Sequence, residues 1–190
     1  MEGIVYHGSP RGDIKELKAR RSTHQKLCIY ATDNKAVALL FMGKGRGDLD
    51  TVISTRDGQL ELVERRPGIL KALYDKEGFL YELDGKNFEH YDYLWSQEVI
   101  SFKENLEPLC VVHIPNIMEA IEEEEKKGNV TVYRYPDRPE AVPLDNSDLI
   151  DKYIGFEKSG LKGALSDMLE VYPEFKREIE ERMAVEQKKI

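Results

Sequence analysis

The stretch from Tyr135 to Pro143 carries prolines at 136, 139 and 143, and the chain changes character across it. Proline lacks a backbone N–H and holds φ near −65°, so neither a helix interior nor a central strand crosses such a stretch. Before it, short apolar runs stop at Gly, Pro, Asn or Asp. After it, apolar residues recur at the helical interval, as Phe175, Ile179 and Met183 do. The 190 residues therefore divide into a β-rich body, residues 1–140, and a helical appendage, residues 141–190, packed on it.

In the body, Ile4–His7, Leu27–Tyr30, Thr51–Thr55, Gln59–Glu64, Gly78–Leu83, Glu98–Phe102, Leu109–Ile114 and Val130–Tyr135 read as strands. Arg56-Asp57-Gly58 supplies the positive φ of a hairpin turn between the third and fourth. Two helices interrupt the series. One runs from Asn34 to Met42, capped by Thr32 or Asp33 and closed by Gly43; the other runs from Pro115 to Lys127 and stops at Gly128. Its Glu122–Glu125 run reads as a solvated face. Beyond the prolines, helices are expected over Asp148–Phe156, Leu161–Val171 and Pro173–Lys189.

Lys and Arg number 28 against 36 Asp and Glu, a net charge of −8, which argues against a general nucleic-acid binder. No apolar run approaches the roughly 18 residues of a membrane helix, and the start shows no basic segment followed by an apolar one. Cys28 and Cys110 lie in apolar runs and read as buried free thiols; without CxxC spacing they give no zinc site, and no metal is expected. These features point to the cytoplasm. Gly43-Lys44-Gly45-Arg46-Gly47 follows a helix and lacks P-loop spacing, so it reads as an exit loop; His113 reads as a packed strand residue.

Three short segments carry chemistry. His7 ends a strand and is followed by Gly8, whose missing Cβ lets a ligand approach, and by the Ser9 hydroxyl. Tyr30 ends another strand, and Phe41 follows 11 residues later on a helix, so two rings can flank a flat heterocycle. Glu98 shares a strand face with Ile100 and Phe102, where a carboxylate is costly unless paired or used. Taken singly, each has a plain structural reading: a packed His, core rings, an edge-strand carboxylate in water.

Together, Tyr6-His7-Gly8-Ser9, then Tyr30-Ala31-Thr32-Asp33-Asn34-Lys35 leading to Phe41, then Gln97-Glu98-Val99-Ile100 resemble the ADP-ribosyltransferase superfamily. The likeness is to its His-Tyr-Glu branch, which includes diphtheria toxin and poly(ADP-ribose) polymerases, and it spans residues 3–135. The resemblance implies an α+β fold with a split, mostly antiparallel β core and flanking helices, and NAD as substrate. His7 would bond the adenine-side ribose, Gly8 the nicotinamide carboxamide, Tyr30 and Phe41 would sandwich nicotinamide, and Glu98 would hold the ribose 2′-hydroxyl. Phe41 stands where most members have Tyr, and Ala38 where polymerases carry Ser. Ser96 matches neither the arginine-modifying nor the asparagine-modifying pattern.

Arg11, Lys15, Lys18, Arg20, Arg21 and Lys26 oppose only Asp13 and Glu16 in residues 11–26, a net of +4 suited to a pyrophosphate or to a solvated loop. Residues 84–97, with Phe88, Tyr91, Tyr93 and Trp95, occupy the acceptor-recognising loop of the family; the acceptor would be a protein or nucleic acid, and Trp95 reads as buried. Two alternatives stay open. An RNA 2′-phosphotransferase of the same fold usually has His where Tyr30 stands, and a non-catalytic NAD- or ADP-ribose-binding or scaffold module needs no turnover.

Overall fold

The computed structural model describes residues 1–21, 26–43, 45–92 and 94–187. Lys44, Tyr93, residues 22–25 of the basic stretch and the last residues of the expected final helix lie outside the described residues. In chain order the strands and helices are β1 (Ile4–Ser9), β2 (Leu17–Lys18), β3 (Arg20–Arg21), β4 (Leu27–Ala31), α1 (Lys35–Leu40), β5 (Thr51–Arg56), β6 (Gln59–Glu64), α2 (Ile69–Tyr74) and β7 (Gly78–Asp84). There follow β8 (Val99–Ser101), β9 (Asn105–Leu106), β10 (Cys110–Ile114), α3 (Ile117–Lys126), β11 (Thr131–Tyr133), α4 (Asp148–Lys158), α5 (Ala164–Val171) and α6 (Lys176–Gln187).

The architecture is α+β, with several small sheets whose pairings are antiparallel except for β11 beside β6. The sheet orders are β1-β7-β10, β11-β6-β5, β3-β4-β8 and the pair β2-β9. The β5–β6 hairpin forms where Asp57 and Gly58 take φ of 49° and 80°. Alternation sorts the residues of the β1 and β4 strands. Val5, Ile29, Ala31, Tyr81 and Val99 enter one apolar cluster, while Val37, Leu40, Leu62, Leu80, Ile117 and Ile121 form another beneath α1 and α3.

Residues after the prolines pack on this body. Leu149, Ile150, Ala164, Met168, Tyr172, Phe175 and Ile179 bury together with Leu49, and the Tyr172 hydroxyl donates to the Leu49 carbonyl at 2.7 Å. A polar seam joins them. The Arg65 guanidinium, 2% exposed, donates to both oxygens of Asp148 (2.9 and 2.6 Å) and to Asn146 Oδ1 (3.1 Å). Arg138 donates to Asn146 Oδ1 (2.6 Å) and to the Arg65 carbonyl (2.5 Å). Glu64 accepts from the Leu70 and Tyr135 backbone N–H groups at 3.2 and 2.9 Å.

Several expectations need correction. The cap of α1 is Asn34, whose side chain accepts from Ala36 N–H; Thr32 instead accepts from Asn34 N–H. Glu124 is no solvated residue: it is 6% exposed, because α3 turns it toward Lys127 and Asn129, which bond its carboxylate at 2.8 and 2.6 Å. Those contacts hold its carboxyl below the ordinary range despite burial, which pushes the other way. Cys28 is buried but Cys110 is exposed, because β10 is an outer strand of its sheet. His113 is also exposed there, stacked on Phe79 and bonded to Glu77 at 2.9 Å. Trp95 is half-buried, with its indole N–H on Thr55 Oγ1 at 3.1 Å. Among the described residues, no helix is long and apolar enough to cross a membrane.

Candidate functional site

The β1-β7-β10 and β3-β4-β8 sheets meet over a shared apolar cluster and are bridged at its edge. Tyr6 and Thr32 exchange backbone hydrogen bonds of 2.7 and 2.9 Å, bridging β1 to the end of β4. An antiparallel ladder continued from there would bring the Gly8 N–H onto the Tyr30 carbonyl. Instead, the His7 imidazole reaches that carbonyl at 2.9 Å through Nδ1. A carbonyl only accepts, so Nδ1 carries the proton and Nε2 keeps a lone pair. Burial holds the His7 pKa below its usual value; the Tyr30 bond opposes this, and the Arg20 charge adds to it. His7 is thus a neutral imidazole with a defined tautomer at neutral pH.

The strands part here partly because of Gly8. A Cβ on Gly8 would lie 2.0 Å from the Ala38 carbonyl oxygen, so the residue is glycine because β1 rests directly on α1. The missing side chain is filled by helix, not left open for a ligand. Ala38, 1% exposed, is the underside of the same contact. After β1 the chain turns at Ser9, whose hydroxyl accepts from Arg11 N–H at 3.1 Å. The Tyr81 hydroxyl then fixes the next loop, donating to the Arg11 carbonyl (2.6 Å) and accepting from Ile14 N–H (3.2 Å).

Between that loop and β4 opens a crevice of about 640 Å³, lined among others by His7, Ser9, Lys18, Arg20 and Tyr30. Its volume is in the range of small-molecule and cofactor sites. Arg11, Lys15, Lys18 and Arg20 face Asp13 and Glu16 along the lining. Arg11 is turned to Asp13 by two bonds, 3.0 and 2.8 Å, in solvent, so Lys15, Lys18 and Arg20 are the cations left to meet an anion.

Glu98 lies one residue before β8, half-buried, with its N–H on the Trp95 carbonyl at 2.8 Å. Tyr30 pairs with Ile100 across β4 and β8, and Glu98 enters β8 two residues before Ile100, just outside that ladder. The turn that launches Glu98 is clamped at both ends of α1. Asn34 donates to Gln97 Oε1 at 3.0 Å, and the Trp95 ring meets Phe41 edge-on at 6.3 Å.

His7 on β1 and Tyr30 on β4 lie at the parting of the sheets and line the crevice with Ser9 and Arg11, while Glu98 lies just before β8, the strand paired with β4. Gly8 and Ala38 face each other inside the molecule. Phe41 caps the far end of α1, 48% exposed, against Trp95. Tyr81 and the Asn34–Gln97 clamp were not singled out from the sequence. Tyr81 reads there as one more alternating strand residue, and nothing local marks its partner at residue 11. Comparison with protein-family models, curated proteins and solved structures finds no match.

Proposed function

We propose that this chain is an NAD-dependent ADP-ribosyltransferase of the His-Tyr-Glu type, releasing nicotinamide and passing ADP-ribose to an acceptor or to water. The observation that carries the reading is the His7–Tyr30 bond at the parting of two sheets, beside a crevice of dinucleotide size, with Glu98 leading into the strand that pairs with Tyr30. Neutral His7 offers Nε2 to a ribose hydroxyl. Lys18 and Arg20 meet the pyrophosphate.

The bond from ribose C1′ to the nicotinamide nitrogen breaks with its electron pair leaving on nicotinamide, and positive charge develops on the ribose. A fixed Glu98 carboxylate beside that ribose stabilises this charge more in the transition state than in bound NAD. The acceptor nucleophile then attacks C1′ and sheds its proton. Tyr30 supplies one wall for the nicotinamide ring, and Phe41 or Trp95, which touch each other, the opposing aromatic surface. The acceptor, protein or nucleic acid, approaches over the 84–97 loop that leads into Glu98. Two free thiols, Cys28 and Cys110, fit a cytoplasmic setting.

The test is nicotinamide release from NAD by the full chain. Glu98→Gln lowers turnover by about 10²-fold or more while leaving NAD affinity within a few-fold. Nicotinamide release by Glu98→Gln at the parental rate removes Glu98 from the chemistry. NAD binding by the parent without nicotinamide release makes the crevice a binding module.

A further inference from the structure

A second cavity, of about 450 Å³, opens where the C-terminal helices meet the body, and it shares no lining residue with the His7 crevice. Its walls are largely apolar. Leu49 comes from the body, Tyr153 and Phe156 stand three apart on α4, Ala164 begins α5, and Leu161 lies in the connection between the two helices, 57% exposed. That connection is held in place as a rim, because the Glu157 carboxylate accepts from the Gly163 and Leu165 N–H groups at 3.1 and 3.3 Å. Tyr153 is 8% exposed, and its hydroxyl makes no hydrogen bond among the described residues. A polar group so placed costs free energy until a partner meets it. Burial pushes its pKa up to about 12, and the Asp48 and Asp167 charges add to the rise, so the hydroxyl keeps its proton.

Exposed charged side chains complete the lining, and most of the charge around it is already matched. Arg46 meets Glu170 at 3.1 Å, and Asp48, next to Leu49, is met by Lys152. Asp167 and Lys162, one of each sign, have no ion-pair partner among the described residues. We infer that this cavity binds a free amino acid with a large apolar side chain. The ligand's ammonium meets Asp167 and the Tyr153 hydroxyl oxygen, its carboxylate meets Lys162, and its side chain leaves water for Leu49, Phe156 and Leu161. A fatty acid would leave Asp167 unanswered, an organic amine would leave Lys162, and a nucleotide would bring phosphates against Asp167 and Glu170. A residue inside a peptide carries neither of the two charges. The volume is in the range of small-molecule sites. Leu49 belongs to the body and the other walls to the helices, so the bound molecule bridges both parts and stabilises the folded chain.

Isothermal titration calorimetry of the full chain with leucine, methionine, phenylalanine and glycine, and with the deamino and decarboxy analogue of each, tests this. At least one of the three large amino acids binds and raises the urea midpoint, and glycine does neither. Removing either charged group from the best ligand weakens it by about tenfold or more. Asp167→Asn, a change at an exposed position, weakens it by a similar factor, and Leu161→Ala weakens it several-fold. NAD affinity stays at the parental value in both variants. Failure of all three large amino acids to bind at millimolar concentration overturns the inference. So does a deamino analogue that binds as tightly as its parent amino acid, which would mark an apolar anion site, or a decarboxy analogue that does, which would mark an organic cation site. Parental affinity in Asp167→Asn overturns it equally. Because the titrations contain no NAD, these outcomes are separate from the fate of the transferase reading.

Discussion

Two regions of this molecule bury polar groups, and they do so to opposite ends. At the seam between β6 and α4, Arg65 lies 2% exposed with both terminal nitrogens on the Asp148 carboxylate, and Arg138, Asn146 and Glu64 complete a bonded set. At the parting of β1 and β4, His7 has one nitrogen bonded to Tyr30 and itself lines a crevice, with cations beside it along the same lining. The first arrangement bonds its guanidinium termini within the protein, with the Arg65 and Arg138 Nε atoms buried and unbonded, and holds the C-terminal helices. The second has capacity in reserve. Buried ion pairs stabilise little relative to apolar packing but are expensive to break singly. A half-used imidazole is suited to a ligand.

The largest effect that would break this contrast is expected at the seam. Arg65→Ala strands a carboxylate that is only partly exposed and opens a hole beside Asn146, and it lowers stability by about 3 kcal/mol, read as a lower urea midpoint. NAD affinity of the folded fraction stays at the parental value. Next in size is Gly8→Ala, where the added methyl meets a backbone carbonyl that cannot rotate away. It costs about 2 kcal/mol and also impairs NAD binding, because β1 must lift from α1; a variant with parental stability would show that the contact is looser than 2.0 Å implies.

His7 gives a smaller, pH-dependent effect. Its folded pKa is depressed, so the unfolded chain binds the proton more readily. The stability linked to neutral His7 is present above about pH 6.5, its unfolded value, and is lost as pH falls through the folded pKa. Urea midpoints of His7→Gln should therefore depend less on pH between about 5 and 7 than those of the parent. Equal slopes would mean that the imidazole is not desolvated. Arg11→Ala, at the exposed pair with Asp13, should leave the melting temperature unchanged and NAD affinity nearly so, whereas Arg20→Ala should reduce NAD affinity several-fold.

Much of the framework was legible because its signals are local. Asp57-Gly58 between two alternating runs fixes a hairpin, and Gly128 stops α3, regardless of what packs on them. What escaped depends on distant partners. The helix α2 is only six residues long after Pro67-Gly68, and its Leu70 N–H is met by a carboxylate from β6. The pairs β2–β9 and β3–β4 have two residues each in register, too few for any period. Glu124 looked like one acid in a run of four, and only the approach of Asn129 and Lys127 distinguishes it. At the candidate site, the order His7, Tyr30, Glu98 could be read. The reason for Gly8 could not, because the Ala38 carbonyl is supplied by a helix 30 residues later.

The seam also sets an order in time. Arg65 has no carboxylate to meet until Asp148, 83 residues later, has been made, and Leu49 waits still longer for Tyr172. At about 5–20 residues per second, a nascent chain spends on the order of ten seconds with that guanidinium and the apolar surface around Leu49 uncovered. During synthesis, the β-rich body is the part that needs shelter, and the helices that emerge after it provide it.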